Sequence, residues 1–441
     1  MTSKRAPSHP SVEHDLLAYL DASPTPYHAV AEAVARLEAA GFSALAEREP
    51  WSLAPGGKHY VVRNGSSVAA FRVGGRPPAE SGFRMVGAHT DSPNLRLKPR
   101  PAFAEAGLLC LGVEIYGSPI LATWTDRDLG LAGRVVVEGA DGLTTRLVRL
   151  ERPVLRIPNV AIHLNRGVNE DGLKLDKHRH LAPVVGISDG GPEANREALA
   201  SVAEAAEVDL DAIRGFDLCL FDLAPARFTG LSEEFVVSAR LDNLGMCHAA
   251  LSALLHAKAG EATAVALLFD HEEVGSVSAE GAGGAFARDL LARIAAARPA
   301  PGGLERAVAS SLLVSADMAH AVHPGWSERS DAGHGPRLNG GPVVKTNAGR
   351  RYATDGETGA FFRRLCAEIR VPCQEFVSRG DMPCGSTIGP IVASGLGVRT
   401  VDVGSPMLSM HSVREMAGRR DPALISAVFA RLFSAVDPLP A

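Results

Sequence analysis

Thr263-Ala264-Val265-Ala266-Leu267-Leu268-Phe269, followed at once by Asp270-His271-Glu272-Glu273, is the stretch on which the reading of this chain turns. A short apolar run with no polar alternation, closed by a cluster of acids and an imidazole, reads as a strand buried on both faces. Such strands belong to parallel sheets covered by helices, and the neighbouring sequence agrees. Residues 244–257 before it and Phe286–Ala297 after it carry helical periodicity. Further on, 312–315 reads as a buried strand, 357–369 as a helix, Gln374–Val377 and 399–403 as strands, and 422–436 as a closing helix. This alternation predicts a mostly parallel sheet with helices on both faces. Upstream, the first 40 residues read as helix interrupted by Pro24 and Pro26, followed by strand-like runs at 59–63, 67–73 and 84–88.

Between about residues 99 and 233 the pattern changes. Short β-rich runs at 108–115, 120–124, 133–138, 144–150 and 154–157 are separated by Gly and Pro, as in an antiparallel sheet or barrel. Residues 190–214 then read as helix and 217–222 as one more strand. The expected organisation is therefore an α/β domain made of 1–98 and 236–441, interrupted by an inserted β-rich, barrel-like domain at 99–235.

Composition narrows the function classes. The 441 residues are 46% hydrophobic and 22% charged, ordinary values for a globular chain, and 45 basic against 50 acidic residues leave a net charge of −5. No basic excess points to nucleic acid or an anionic membrane. The six cysteines include no C-x-x-C pair, which speaks against a disulfide scaffold and against thiolate zinc. Lys4 and Arg5 are not followed by an apolar run of signal-peptide length, and no stretch approaches the ~20 apolar residues of a membrane span. A cytoplasmic location is the expectation.

Residues of metal-ligand type gather where the apolar strands end. His89-Thr90-Asp91 follows Met85-Val86-Gly87-Ala88; Glu272-Glu273 follows the run quoted above; Asp317 follows 312–316; His411 lies beyond 400–403. Open α/β sheets bind ligands at the carboxyl ends of their strands, so these groups can converge. Asp242, in Arg240-Leu241-Asp242-Asn243, precedes the helix near Leu244, where it also reads as a helix cap. Two imidazoles and three carboxylates suit zinc, manganese or cobalt. Adjacent Glu272 and Glu273 point different ways, so that one can bind metal while the other faces substrate.

Six ordered segments carry a resemblance. They are Gly87-Ala88-His89-Thr90-Asp91-Ser92-Pro93, Arg240-Leu241-Asp242-Asn243-Leu244, residues 269–276, residues 315–324, Asp381-Met382-Pro383-Cys384-Gly385-Ser386-Thr387, and Leu408-Ser409-Met410-His411-Ser412. Together they resemble the aspartyl aminopeptidases, cocatalytic dinuclear-metal exopeptidases that release N-terminal Asp or Glu. The resemblance implies two divalent ions per chain, zinc first and manganese or cobalt as alternatives. His89 and Asp317 would hold one ion, Glu273 and His411 the other, and Asp242 would bridge them. Asp91 would orient His89, and Glu272 would be the general base. Lys345 would pair with the acidic side chain of the substrate, and His320, Tyr352, Met382 and Gly385 would contact the peptide. His163, in the insert, would reach a neighbouring subunit's site. The implied assembly is a tetrahedral dodecamer in which the insert serves oligomerisation. Gly325-Trp326 departs from the polar-aromatic pair usual in relatives at that point. A broad-specificity dinuclear aminopeptidase, a deacylase, or a silent assembly shell are the competing readings.

Overall fold

The computed structural model describes residues 11–191 and 193–435, so that Lys4, Arg5 and Val436 lie outside the described residues. Contacts divide the chain into two compact units. The first comprises the chain up to Asp91, Ala226–Met410 and Met416 onward; the second comprises Ser92–Pro225 and His411–Glu415.

The first unit is built on a nine-stranded sheet. Its order is Ser43–Ala44, Lys58–Arg63, Ser67–Arg72, Thr263–Phe269, Phe83–His89, Leu312–Ala316, Arg399–Gly404, Val343–Thr346 and Gln374–Val377. The four strands from Thr263–Phe269 to Arg399–Gly404 run parallel. Side chains alternate along these strands between two cores. Phe83, Met85, Val265, Leu267 and Phe269 meet Phe286, Leu290, Leu291 and Ile294 of helix Phe286–Ala297 on one face. Val86, Ala88, Ala264, Ala266 and Leu268 meet Leu251 and Leu254 of helix Leu241–His256 and Val428 and Phe429 of helix Asp421–Phe433 on the other. Both faces are thus apolar, which is why the strands read as continuous hydrophobic runs. Each large side chain so buried stabilises the fold by about 1.5–3 kcal/mol.

The second unit carries a six-stranded antiparallel sheet. Its order is Gly142–Leu155, Leu129–Gly139, Ile213–Asp222, Asn94–Glu105, Leu108–Tyr116 and Val184–Ile187. Leu95, Leu131, Val135, Leu150, Leu218 and Leu220 form its own core. The two outer strands meet through one bridge, Arg156 with Val184. Two expectations are corrected here. Residues 120–124 do not form a strand: Leu121–Trp124 is a 3-10 turn, closed by Thr123 Oγ1 and Thr125 Oγ1 donating to the carbonyls of Ile120 and Ala122. The helix expected over 190–214 is shorter, Ala194–Ala205, because Glu207 takes a left-handed φ of 54° and Asp209 caps a separate turn at Leu210–Ala212. The second unit also begins earlier than expected. The strand Asn94–Glu105 runs straight through residue 98, with a break in register between Leu97 and Ala102 at the two prolines, Pro99 and Pro101.

Candidate metal centre and substrate cleft

The register of the parallel strands lines up their polar ends. Phe269 stands beside His89, and Ser315 stands beside Gly87. The residues just past each strand end therefore leave the sheet at one edge, as the topology of open α/β sheets requires. His89 is buried at the end of its strand. Its Nδ1 lies 3.0 Å from the Asp91 carbonyl and 3.3 Å from Asp91 Oδ1. A carbonyl only accepts, so Nδ1 donates and Nε2 is turned toward the acids. Nε2 is 3.6 Å from Asp242 Oδ1, 3.7 Å from Asp317 Oδ1 and 4.0 Å from Glu272 Oε2.

Two turns supply the carboxylates. Glu272–Val274 is a 3-10 turn whose first two amides, Glu272 N and Glu273 N, donate to Asp91 Oδ1 and Oδ2 at 3.2 and 3.1 Å. One carboxylate thus anchors both the His89 ring and the acidic turn, a role that sequence spacing alone does not reveal. His271 and Arg240, each just before an acid of the site, take left-handed φ values of 63° and 59°. Such conformations are uncommon outside glycine and cluster at functional sites. The side chain of Asn243, beside Asp242, donates Nδ2 to the Ala316 carbonyl at 2.9 Å, tying the Asp242 turn to the strand that delivers Asp317.

The electrostatics call for positive charge at this spot. Burial opposes a charge on His89, yet its hydrogen bonds to Asp317 and Asp91 hold its pKa well above the ordinary value. Burial raises Glu272 to about 8, with Asp317, Glu273 and Asp91 adding to the rise and His89 opposing it. Burial would raise Asp317 as well, but the Lys345 ammonium and His89 outweigh it and hold that carboxyl well below the usual range. Two groups, His89 with Asp242 and Asp317, and His89 with Glu272 and Glu273, place one donor atom each within 4.8 Å of one another. One imidazole among hard carboxylate oxygens is a donor set that fits a zinc-type ion. The residues present therefore fit a divalent metal.

His411 belongs to the segment grouped with the second unit. There its Nδ1 donates to the Ser118 carbonyl at 3.0 Å and its backbone amide donates to Glu415 Oε1 at 2.7 Å. His163 is exposed in the short turn Ile162–Leu164 of the same unit. Lys345 is only 2% exposed. Its ammonium donates to the carbonyls of Asp317 and Met318 at 3.0 and 3.2 Å and lies 3.7 Å from Asp317 Oδ2. His320, Met382 and Gly385 line a cleft of about 240 Å³, together with Phe376, Trp326 and Arg329. Tyr352 is buried behind it, its ring 6.3 Å from that of Phe376.

Two side chains escaped the sequence reading. Cys247 donates its thiol to the His89 carbonyl at 2.9 Å. Asp402 is buried and accepts from Thr387 Oγ1 and from the Ala353 amide, both at 2.6 Å, so it ties the Met382 loop to the sheet. A lone acid in the apolar run Val401-Asp402-Val403 was the available signal, because a charge buried in a strand needs partners.

A family model described as Aminopeptidase I zinc metalloprotease (M18) matches residues 19–433. The chain belongs to the M18 aminopeptidase family. This M18 enzyme is 49% identical over 424 residues to the Probable M18 family aminopeptidase 2 of Pseudomonas aeruginosa (strain LESB58), covering 96% of this chain and 98% of that one. It is 48% identical to the protein of the same description from Azotobacter vinelandii, over 95% of this chain and 97% of its relative. Among solved structures, Ape4 in a cryo-EM complex with Nbr1 superposes with a TM-score of 0.93 at 41% identity, over 96% of this chain and 85% of Ape4. The mApe1 dodecamer of S. cerevisiae superposes with a TM-score of 0.84 at 29% identity, over 96% of each chain. The M18 chain is thus a metalloaminopeptidase of the zinc class, and the expected α/β architecture, with parallel strands and helices on both faces, is the observed one.

Proposed function

We propose that this aminopeptidase releases Asp or Glu from peptide N-termini, with Glu272 as the general base and His89, Asp242, Glu273, Asp317 and His411 as ligands of two divalent ions. The carrying observation is the convergence of Asp242, Asp317 and Glu272 within 4.0 Å of the single nitrogen His89 Nε2. When bound, such ions polarise the scissile carbonyl and lower the pKa of water. Glu272 takes the proton of the attacking water and returns it to the departing amine. A carboxylate at hydrogen-bonding reach of the attacking water can both accept its proton and hand it on. Asp91 holds the His89 ring and the Glu272 turn in mutual register.

Acidic selectivity is assigned to Lys345. Its ammonium lies 3.7 Å from Asp317 Oδ2 and is buried, so a substrate carboxylate reaching it would be only weakly screened by water. Its existing bonds to two carbonyls favour a second reading, broad specificity, in which Lys345 serves only to fix Asp317. Lys345→Met separates the two. The ratio of kcat/KM for N-terminal Asp over N-terminal Asn should fall by at least ~10-fold, the weight of one charge-assisted pair. An unchanged ratio selects the second reading. The same preparation serves both substrates, so errors in active fraction cancel.

The assembly is proposed to be a homo-oligomer, a tetrahedral dodecamer acting in the cytoplasm, in which the second unit serves oligomerisation and His163 completes a neighbour's site. Its support is the dodecameric S. cerevisiae relative and the exposed position of His163.

A further inference from the structure

The cleft lined by His320, Met382 and Gly385 has an unexplained outer wall. Trp326 is 57% exposed there, although an indole is the side chain that gains most from being covered. It is also held in place. Its ring packs on His323 with centroids 4.6 Å apart, its amide donates to the His323 carbonyl at 3.1 Å, and its carbonyl accepts from the Arg329 amide at 3.0 Å. Gly325 donates its amide to His323 Nδ1 at 3.0 Å, which fixes the ring on which the indole rests. An indole packed on a hydrogen-bonded imidazole at the rim of a cleft is partly preorganised, so less side-chain entropy is lost on binding.

We infer that Trp326 is a specificity-determining residue for the second residue of the substrate, and that it favours an aromatic or large apolar side chain there. This rests on the reading of Lys345 as the partner of the first residue. Lys345 is buried and is not among the residues that line the cleft, whereas His320, three residues past Asp317, is; the leaving peptide, which begins at the second residue, is therefore laid along this cleft. Phe376, whose ring lies 5.9 Å from that of His320, continues the apolar wall inward.

The test compares peptides that share one N-terminal residue and differ at the second, Phe against Gly, on the wild type and on Trp326→Ala. The expected ratio of kcat/KM for Phe over Gly falls by about 2- to 12-fold in the variant, the range of one aromatic contact. Trp326→Phe should retain most of the preference. Circular dichroism and metal content should not move, because the side chain is largely exposed. Equal ratios in wild type and Trp326→Ala overturn the inference. Because the first residue is held constant and is chosen as whichever the enzyme cleaves fastest, loss of the acidic-selectivity reading leaves this comparison intact. Should the preference for Phe persist in Trp326→Ala while vanishing in Phe376→Ala, the subsite belongs to the inner wall and the assignment to Trp326 is wrong.

Discussion

Glu272→Gln changes one oxygen to nitrogen in a side chain that sits 4.0 Å from His89 Nε2. The amide keeps the shape but accepts no proton. Turnover should fall by about 10²- to 10⁴-fold, while elemental analysis finds the metal content of the wild type. A metal-loaded variant with near-normal turnover would remove Glu272 from the role of base. At this scale the sequence was most legible. Imidazoles and acids gathered at the ends of apolar runs signal a strand-end cluster, and His89, Glu272, Glu273 and Asp317 stand out in the sequence as candidates for that reason. What stayed hidden were the groups that hold them. The Cys247 thiol and the Asn243 amide contribute through contacts to residues far away in sequence, His89 and Ala316, and spacing carries no trace of such pairs.

Three helices of the first unit are tied by Asp15. From helix Val12–Ala22, its Oδ2 is 2.8 Å from His248 Nε2 on Leu241–His256 and 2.6 Å from Arg36 on Pro26–Ala39. The hydrogen bond from His248 is the largest influence on Asp15; burial opposes it, and Arg36 assists, so the pKa falls from 3.8 to about 2. The sign follows from linkage: a depressed carboxyl pKa stabilises the folded state above the unfolded value and loses that contribution as pH falls through about 4 to about 2. Asp15→Asn should therefore lower the urea midpoint at pH 7, by a loss on the order of 1–2 kcal/mol given partial solvent exposure, and by roughly half as much at pH 3, midway through the titration. An equal deficit at both pH values would show that the charge is irrelevant. Regular elements were well legible: Thr263–Phe269, Phe286–Ala297 and Gln374–Val377 form over the expected residues. The miss at 120–124 has a local cause. Ile120, Thr123 and Trp124 favour strands by composition, but the two threonine hydroxyls close a turn instead. The strand Asn94–Glu105 was obscured by Pro99 and Pro101, which sit where its ladder breaks.

For the whole molecule, the proposed assembly makes a kinetic statement. His163→Ala should keep metal and fold yet lose turnover, and dilution of the wild type to the point of dissociation should lose turnover in parallel, followed by light scattering alongside the assay. Dissociated protomers with full specific activity would exclude a trans-acting His163. The insert boundary was only coarsely legible because composition changes gradually, whereas contacts change at a residue. The central sheet, finally, serves two cores at once, since Met85 faces one helix layer and Val86 the other. The positional tolerance of the chemistry is therefore set by carpentry remote from it. A volume-conserving exchange of one aliphatic group for another in either layer should be absorbed locally and leave the imidazole of His89 in place. A single residue inserted between Phe83 and His89 would instead reverse every later side chain through the sheet, sending His89 to the opposite face and both layers out of step together.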